Sequence, residues 1–255
     1  MNRGQTPPGG FQNHFGPQAS RYVEGRPRYP RSLFHYLAVT AGGTQLAWDC
    51  ATGNGQAATG LAERFAHVLA TDASAEMIAR AEPHARVTYR VTKYETGLAD
   101  GSANLVTVAQ ALHWLEIGPF VAEAKRVLVP GGLCAAWCYQ LCRIEPRIDE
   151  IVRLFYEVTL GGFWSSERRH VEDGYRSIVL PLEEIAPPAI EMTEEWTMPQ
   201  LVSFVRTWSA ARKCVAARGE EPLRAFEAAL KERWGMPMLQ RRVQWPVCFR
   251  IGHLR

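Results

Sequence analysis

One stretch of the sequence, residues 46–72, constrains the fold more than any other. It begins with a short apolar run that ends in an acid, Asp49, and it continues through a glycine turn at residues 51–55. Apolar residues then recur at helical spacing over residues 56–65, and a second apolar run ends in Asp72. The order strand, turn, helix, strand predicts a βαβ unit, in which the two strands lie side by side in a parallel sheet.

The turn between the first strand and the helix has the chemistry of a ligand site. Gly53 and Gly55 let the backbone approach a ligand closely, and the N-terminus of the following helix favours electron-rich groups. Asp72, at the end of the neighbouring strand, is placed to accept hydrogen bonds from the diol of a ribose. The segment therefore predicts a site for a nucleoside cofactor.

The glycine spacing alone leaves two cofactors open. Gly53, Gly55 and Ala58 fit the pattern G-x-G-x-x-G/A, with Asp72 about 20 residues further on, as dinucleotide binding requires. Asp49 argues against a dinucleotide, because its carboxylate would lie near the pyrophosphate and repel it. The same carboxylate suits a cofactor that carries an ammonium group and a sulfonium, which is S-adenosylmethionine.

At these positions the sequence resembles the class I S-adenosylmethionine-dependent methyltransferases, whose first motif is D-x-G-x-G-x-G. Residues 49–55 read DCATGNG, so Ala51 stands where the family has its first glycine, although alanine tolerates positive φ poorly. Residues 126–132, RVLVPGG, resemble the family's R-V-L-x-P-G-G turn. The resemblance implies an α/β fold: a Rossmann-like sheet with helices on both faces, whose antiparallel last strands would be residues 189–196 and 243–251.

Three further segments resemble a UbiE-like subgroup that includes trans-aconitate methyltransferases: residues 169–175, 206–210 and 243–246. The resemblance as a whole extends from residue 15 to residue 251. It implies an enzyme that methylates a small molecule, and we expect transfer to an oxygen atom of a carboxylate or a hydroxyl group.

We expect one methyltransferase domain over residues 15–255, preceded by a flexible tail at residues 1–14. Residues 15–30 are rich in aromatic side chains and arginine, and we expect them to form a lid over the cofactor. Residues 140–185 would form a helical cap insertion over the active site, because inserted loops gather at the carboxyl ends of the strands.

The resemblance implies a cofactor site spread over several strand ends. Asp72 would bind the ribose, Tyr94 and Glu95 would recognise the adenine, and Arg26 would meet the carboxylate of the methionyl group. The expected cofactor-binding residues are Phe15, Tyr22, Arg26, Asp49, Ala51, Gly53, Gly55, Asp72, Ala73, Met77, Tyr94, Glu95, Gln110 and Ala111.

Methyl transfer from a sulfonium is an in-line displacement, so the protein mainly aligns the reacting atoms and excludes water. A carboxylate acceptor needs no base, whereas His113, at a predicted strand end, is a candidate base for a hydroxyl or an amine. The alternative for His113 is a structural hydrogen bond. The expected substrate pocket comprises Trp114, Tyr139, Trp164 and Arg212, and Trp208 is expected to be a pocket wall or part of the cap core. Candidates to meet an anionic acceptor are Arg143, Arg168, Arg169 and Arg212.

Composition and charge limit the classes of partner that we expect for this chain. The net charge of +3, with no block of Lys and Arg, argues against a nucleic-acid partner. No apolar run has transmembrane length and no signal core is present, so we expect a cytoplasmic protein without membrane contact. The six cysteines include no C-x-x-C pair and are expected to be buried reduced thiols, with no metal site.

Two alternatives remain open from the sequence. The spacing of Gly53, Gly55 and Ala58 is compatible with an NAD-dependent oxidoreductase. A non-catalytic regulatory protein that binds S-adenosylmethionine would also keep the glycine turn.

Overall fold

The computed structural model describes residues 25–255, so the expected contacts of Phe15 and Tyr22 lie outside the described residues. The strands of the described part are β1 (Leu46–Cys50), β2 (His67–Asp72), β3 (Val87–Val91), β4 (Ala103–Ala109), β5 (Leu128–Tyr139), β6 (Leu182–Glu184), β7 (Met192–Trp196), β8 (Arg241–Trp245) and β9 (Val247–Leu254). Its α-helices are α1 (Arg31–Thr40), α2 (Gln56–Ala62), α3 (Ala75–Ile78), α4 (Ile117–Val127), α5 (Pro146–Leu154), α6 (Arg168–Glu172), α7 (Met198–Arg206), α8 (Ser209–Arg218) and α9 (Glu221–Trp234).

A seven-stranded sheet has the order β3-β2-β1-β4-β5-β9-β6. The first five of these strands are parallel, and β9 runs antiparallel to both of its neighbours. The βαβ unit is confirmed, because β1 pairs with β2 from Leu46 opposite His67 to Cys50 opposite Thr71. The chain order reverses between β1 and β4, and a ligand crevice is expected at the carboxyl ends of strands at such a point.

The predicted antiparallel pairing of the last two strands is confirmed for β7 with β8, but its predicted position at the edge of the main sheet is wrong. Residues 243–251 are not one strand, because Pro246 has no N–H to donate to a ladder and separates β8 from β9. β8 pairs with β7 in a separate two-stranded sheet, while β9 enters the main sheet and the short β6 takes its edge. The carbonyl of Pro246 instead accepts a hydrogen bond from the backbone N–H of Gln140 at 2.9 Å.

Helices cover both faces of the main sheet, as the sequence predicts. α1 and α2 bury Leu33 and Leu61 against one face. α4 and residues 171–182 cover the other face, where Phe120 and Tyr175 are fully buried. The central parallel strands β1, β2 and β4 are buried on both sides, which is the pattern expected for strands covered twice, whereas the edge strand β3 is largely exposed.

A separate hydrophobic cluster joins α5, α7, α8 and α9 to the β7–β8 pair. Within it the ring of Phe155 stacks on the ring of Phe226 at a centroid distance of 4.4 Å. The expected cap, residues 140–185, is divided: residues 148–160 belong to this cluster, whereas residues 171–182 pack against the main sheet. That these residues cover the active site stays a prediction. Within residues 25–255 no helix has the length and apolar character needed to cross a membrane.

Candidate active site

The turn after β1 has the unusual backbone that its glycines predict. Gly53 and Gly55 have φ values of 61° and 84°, and Ala51 also adopts a positive φ of 55°. A Cβ atom on Gly55 would lie 2.2 Å from the hydroxyl oxygen of Tyr89, so this position requires glycine for space as well as for conformation. A Cβ atom on Gly53 would lie 3.3 Å from the terminal carbon of Met77, so the Met77 side chain packs closely against this glycine.

Asp72 ties the end of β2 to this turn. One oxygen of its carboxylate accepts a hydrogen bond from the backbone N–H of Gly53 at 2.8 Å, and the other accepts from the N–H of Ser74 at 2.8 Å. Burial raises the pKa of Asp72, and the two backbone donors act in the opposite direction. Since each carboxylate oxygen has a second lone pair, the group retains capacity to accept from a diol.

Asp49 lies beneath the turn and is fully buried. Its two oxygens accept hydrogen bonds from the hydroxyl groups of Thr52, at 2.5 Å, and Thr107, at 2.7 Å. Burial raises the pKa of Asp49 to about 6, the two hydroxyl groups oppose this shift, and the charge of Asp72 adds to it. Asp49 therefore supports the turn from below, and direct contact with a ligand would require it to be uncovered.

Of the residues expected around an adenine, Met77 and Ala73 lie beside the turn. Met77 is buried next to Gly53, and Ala73 is half-buried at the end of β2. The hydroxyl of Tyr94 accepts a hydrogen bond from the backbone N–H of Glu116 at 2.8 Å, which fixes its ring at the edge of the crevice. Glu95 is exposed and accepts from the hydroxyl of Thr92 at 2.9 Å.

A pocket opens where β4 and β5 end, with an empty volume of about 310 Å³ that includes space open to solvent. Gln110 follows β4 with a φ of 55°, and its backbone N–H donates to the carbonyl of Trp137 at 2.8 Å. Its side-chain oxygen accepts from the N–H of Tyr139 at 2.8 Å. Two bonds to β5 thus hold the left-handed residue in place. The pocket is lined by Arg26, Gln110, Tyr139, Gln140, Leu141, Arg168, Phe204 and Trp208.

Among residues 25–255, two arginines and no acid line this pocket, which makes its described lining electropositive. Arg26 donates from Nη1 to the hydroxyl of Tyr139 at 3.3 Å. Arg168 donates from Nε to the hydroxyl of Tyr156 at 2.7 Å, and this hydroxyl donates to the carboxylate of Glu172 at 2.7 Å. The guanidinium of Arg168 also lies over the ring of Trp164, 4.9 Å from its centroid.

The expected substrate residues are therefore only partly brought together. Tyr139 lines the pocket, and Trp164 packs behind it against Trp208 at a centroid distance of 5.9 Å. Trp114, 37% exposed, and Arg212, on α8, are not among its lining residues.

Three lining residues were missed by the sequence prediction: Gln140, Leu141 and Phe204. The rule that strand ends face the crevice could have identified Gln140 and Leu141, which follow β5 directly. Phe204 lies on α7, far along the chain, and no local signal marks it.

His113 is held by a buried tyrosine. Its Nδ1 atom lies 3.1 Å from the hydroxyl oxygen of Tyr175, which itself has a φ of 66°. Burial lowers the pKa of His113 to about 3, and the positive charges of Arg168, His170 and Arg26 contribute in the same direction. The imidazole is consequently neutral at pH 7 but binds a proton weakly, whereas a general base works best with a pKa near the working pH. This favours the structural hydrogen bond over the catalytic base.

Ala111 directly follows Gln110 at the end of β4. It is buried and contributes to the core cluster of the main sheet. Among residues 25–255, no group of three or more His, Cys, Asp or Glu side chains is arranged to hold a metal ion.

Comparison with known proteins finds relatives over most of the chain. A family model described as a methyltransferase domain matches residues 48–136. A protein of Anaeromyxobacter dehalogenans, described as a candidate type II methyltransferase, has a structure that matches with a TM-score of 0.85 at 41% identity, over 89% of this chain and 97% of its own. A protein of Dictyostelium discoideum, described as a candidate methyltransferase, is 29% identical over 86% of each chain. An uncharacterized methyltransferase of Mycobacterium tuberculosis is 38% identical over 61% of this chain and 68% of its own length.

Proposed function

Because the chain belongs to the class I S-adenosylmethionine-dependent methyltransferases, we propose that it binds S-adenosylmethionine at the glycine turn and methylates a small molecule held in the electropositive pocket. The observation that carries the proposal is the linkage of Asp72 to Gly53 across the ends of β2 and β1. This linkage supports a ribose-binding carboxylate next to backbone that a ligand can approach closely.

The residues of the turn fit this cofactor. Gly53 and Gly55 give the turn its left-handed backbone, and Asp72 keeps free lone pairs for a diol. Met77 and Tyr94 would flank the adenine, and Arg26 would meet the methionyl carboxylate. When bound, S-adenosylmethionine supplies a methyl group on a positively charged sulfur. The protein's own residues would hold both reactants in line and exclude water.

The pocket supports an anionic acceptor. Arg168 lines it, and an arginine suits bidentate pairing with a carboxylate. A carboxylate nucleophile needs no base, which agrees with the low proton affinity of His113. We therefore propose O-methylation of a carboxylate, with a hydroxyl acceptor as second choice. This chemistry is compatible with the UbiE-like subgroup that includes trans-aconitate methyltransferases.

The walls of the pocket support a small molecule and not a nucleic acid. Phe204, Trp208 and Leu141 give the pocket an apolar side, and apolar walls with a few polar groups are typical of small-molecule sites. The NAD-dependent alternative is not adopted, because the relatives over most of the chain are methyltransferases. The non-catalytic alternative is set aside for the same reason.

Calorimetric titration with S-adenosylhomocysteine tests the cofactor site. We expect Asp72→Asn to weaken binding about 10- to 100-fold, since hydrogen bonds to a charged group contribute about 1.5–3 kcal/mol. Asp100→Asn is the control, because Asp100 is an exposed acid that precedes β4, at the end of that strand opposite Gln110. NAD⁺ should give no binding heat with either protein. Unchanged affinity in a folded Asp72→Asn variant would contradict the proposal.

Turnover with labelled S-adenosylmethionine tests the acceptor. Small di- and tricarboxylic acids form the first panel, and the corresponding amides serve as neutral analogues. We expect methylation of an acid in the panel, and we expect Arg168→Gln to raise its KM about tenfold or more. Arg169→Gln is the matched control, because Arg169 is an exposed neighbour that does not line the pocket. Equal use of acids and amides would refute an anionic acceptor.

A further inference from the structure

Two cysteines that play no part in the proposed reaction lie opposite each other on neighbouring strands of the main sheet. Cys138 on β5 and Cys248 on β9 are direct partners in the antiparallel ladder, so their side chains lie on the same face. Opposed residues in such a ladder have Cα atoms about 4.5–5.5 Å apart, which falls within the range of about 4.4–6.8 Å that a disulfide spans.

The two thiols interact and are unequal. The Cys138 thiol is fully buried, and its sulfur lies 3.8 Å from the carbonyl oxygen of Val171. Cys248 is half-buried. A hydrogen bond from Cys138 lowers the pKa of Cys248 to about 7, and the positive charge of Arg176 contributes, while burial and Asp173 act against it. The thiolate, which is the reactive form, is therefore well populated on the more accessible sulfur near neutral pH.

The remaining thiols lack these properties. Cys50, Cys134 and Cys142 are buried, and burial raises the pKa of each. Cys214 is buried on α8 in the separate helical cluster. None of these four residues faces another cysteine in a strand pair.

We propose that Cys138 and Cys248 form an oxidisable dithiol whose reagent is a hydroperoxide. The sulfur of Cys248 attacks one oxygen of hydrogen peroxide, the O–O bond breaks, and Cys248 becomes a sulfenic acid with release of one water. The sulfur of Cys138 then attacks that of Cys248, the S–O bond breaks, and the thiol proton leaves with the hydroxide as a second water. Two thiols and one peroxide give one disulfide and two waters.

The position of the pair connects it to the pocket. Cys138 immediately precedes Tyr139, which lines the pocket. A Cβ atom on Gly174 would lie 2.9 Å from the sulfur of Cys248, so the segment that follows α6 packs closely over the pair. Arg168, another lining residue, is the first residue of α6, the helix that precedes this segment. The dithiol thus adjoins two elements that shape the pocket.

Peptide mapping after oxidation tests the proposal. The reduced protein is treated with hydrogen peroxide, its remaining thiols are blocked with N-ethylmaleimide, and the digest is analysed by mass spectrometry. We expect a Cys138–Cys248 disulfide peptide that dithiothreitol removes. In the untreated protein, N-ethylmaleimide should label Cys248 about tenfold or more faster than Cys142, because only the thiolate reacts.

Variants distinguish the cysteine that reacts with the peroxide, Cys248, from the cysteine that then forms the disulfide, Cys138. Cys138→Ser, which keeps a hydroxyl donor beside Cys248, should trap Cys248 as a sulfenic acid that dimedone labels. Cys248→Ser should abolish the disulfide, and Cys142→Ser should leave it unchanged. Both thiols remaining free to react with N-ethylmaleimide after oxidation of the wild-type protein would overturn the proposal. A disulfide formed by another pair of cysteines would overturn it as well. Neither result depends on any variant folding, or on the methyl acceptor.

Discussion

Replacing Asp49 by asparagine should make the protein more stable at neutral pH, although the residue lies at the centre of the glycine-turn motif. The side chain is completely buried, and its two oxygens are bonded to the hydroxyl groups of Thr52 and Thr107. An amide of the same shape keeps one of these bonds as acceptor and can donate the other, because a hydroxyl group both donates and accepts.

The magnitude follows from the shift in the pKa of Asp49, from 3.8 to about 6. Since the folded-state pKa is the higher one, the native state binds the proton more tightly than the unfolded chain does. The stabilisation by this proton is complete below pH 3.8 and is lost as the pH rises through about 6. A shift of this size corresponds to about 3 kcal/mol, at 1.36 kcal/mol for each pKa unit.

The assay is urea unfolding followed by tryptophan fluorescence between pH 4 and pH 7.5, for the wild-type protein and Asp49→Asn. We expect the two free energies of unfolding to agree near pH 4. Their difference should then grow in favour of the variant to about 3 kcal/mol above pH 7. Glu195→Gln, which changes an exposed carboxylate, should give a difference that stays close to zero. A difference for Asp49→Asn that does not change with pH would refute the reasoning.

Three further predictions concern the turn, the histidine and the helical cluster. Ala51→Gly should stabilise the protein by up to about 1 kcal/mol, because it removes an alanine side chain from a residue with positive φ. Ala58→Gly, within α2, should destabilise the protein by about 1 kcal/mol or more. The urea midpoints of the two variants check both expectations. The NMR signals of His113 should show no titration between pH 5 and pH 8, and Arg168→Gln should raise its pKa, because a positive charge is removed; a midpoint near 6.5 in the wild-type protein would contradict this. Phe226→Ala should destabilise the protein by about 3–5 kcal/mol in the same unfolding assay, because it empties the stack with Phe155, and a loss below about 1 kcal/mol would show that this stack is unimportant.

The sequence predicted the secondary structure correctly wherever a short local pattern is enough to define a strand, a helix or a turn. The βαβ unit, the buried parallel strands and the glycine turn follow from short-range patterns, and each is present as predicted. The positive φ of Ala51 also follows from its place in the motif. The antiparallel pairing of β7 with β8 was predicted, but its separation from the main sheet was not. The local pattern favoured one strand over residues 243–251. The chain divides at Pro246 because the part before it pairs with β7 and the part after it pairs with β5, and these partners are set by the tertiary structure.

By itself, the sequence determined the family, the fold class and the position of the cofactor turn, because these depend on residues close together in the chain. Only the tertiary structure decided which side chains meet. It buried Asp49 beneath the turn, lowered the pKa of His113 through burial and distant cations, and joined Arg168 to Phe204 in one pocket. Burial and charge at a site depend on groups far apart in sequence, and their distances exist only once the chain has folded.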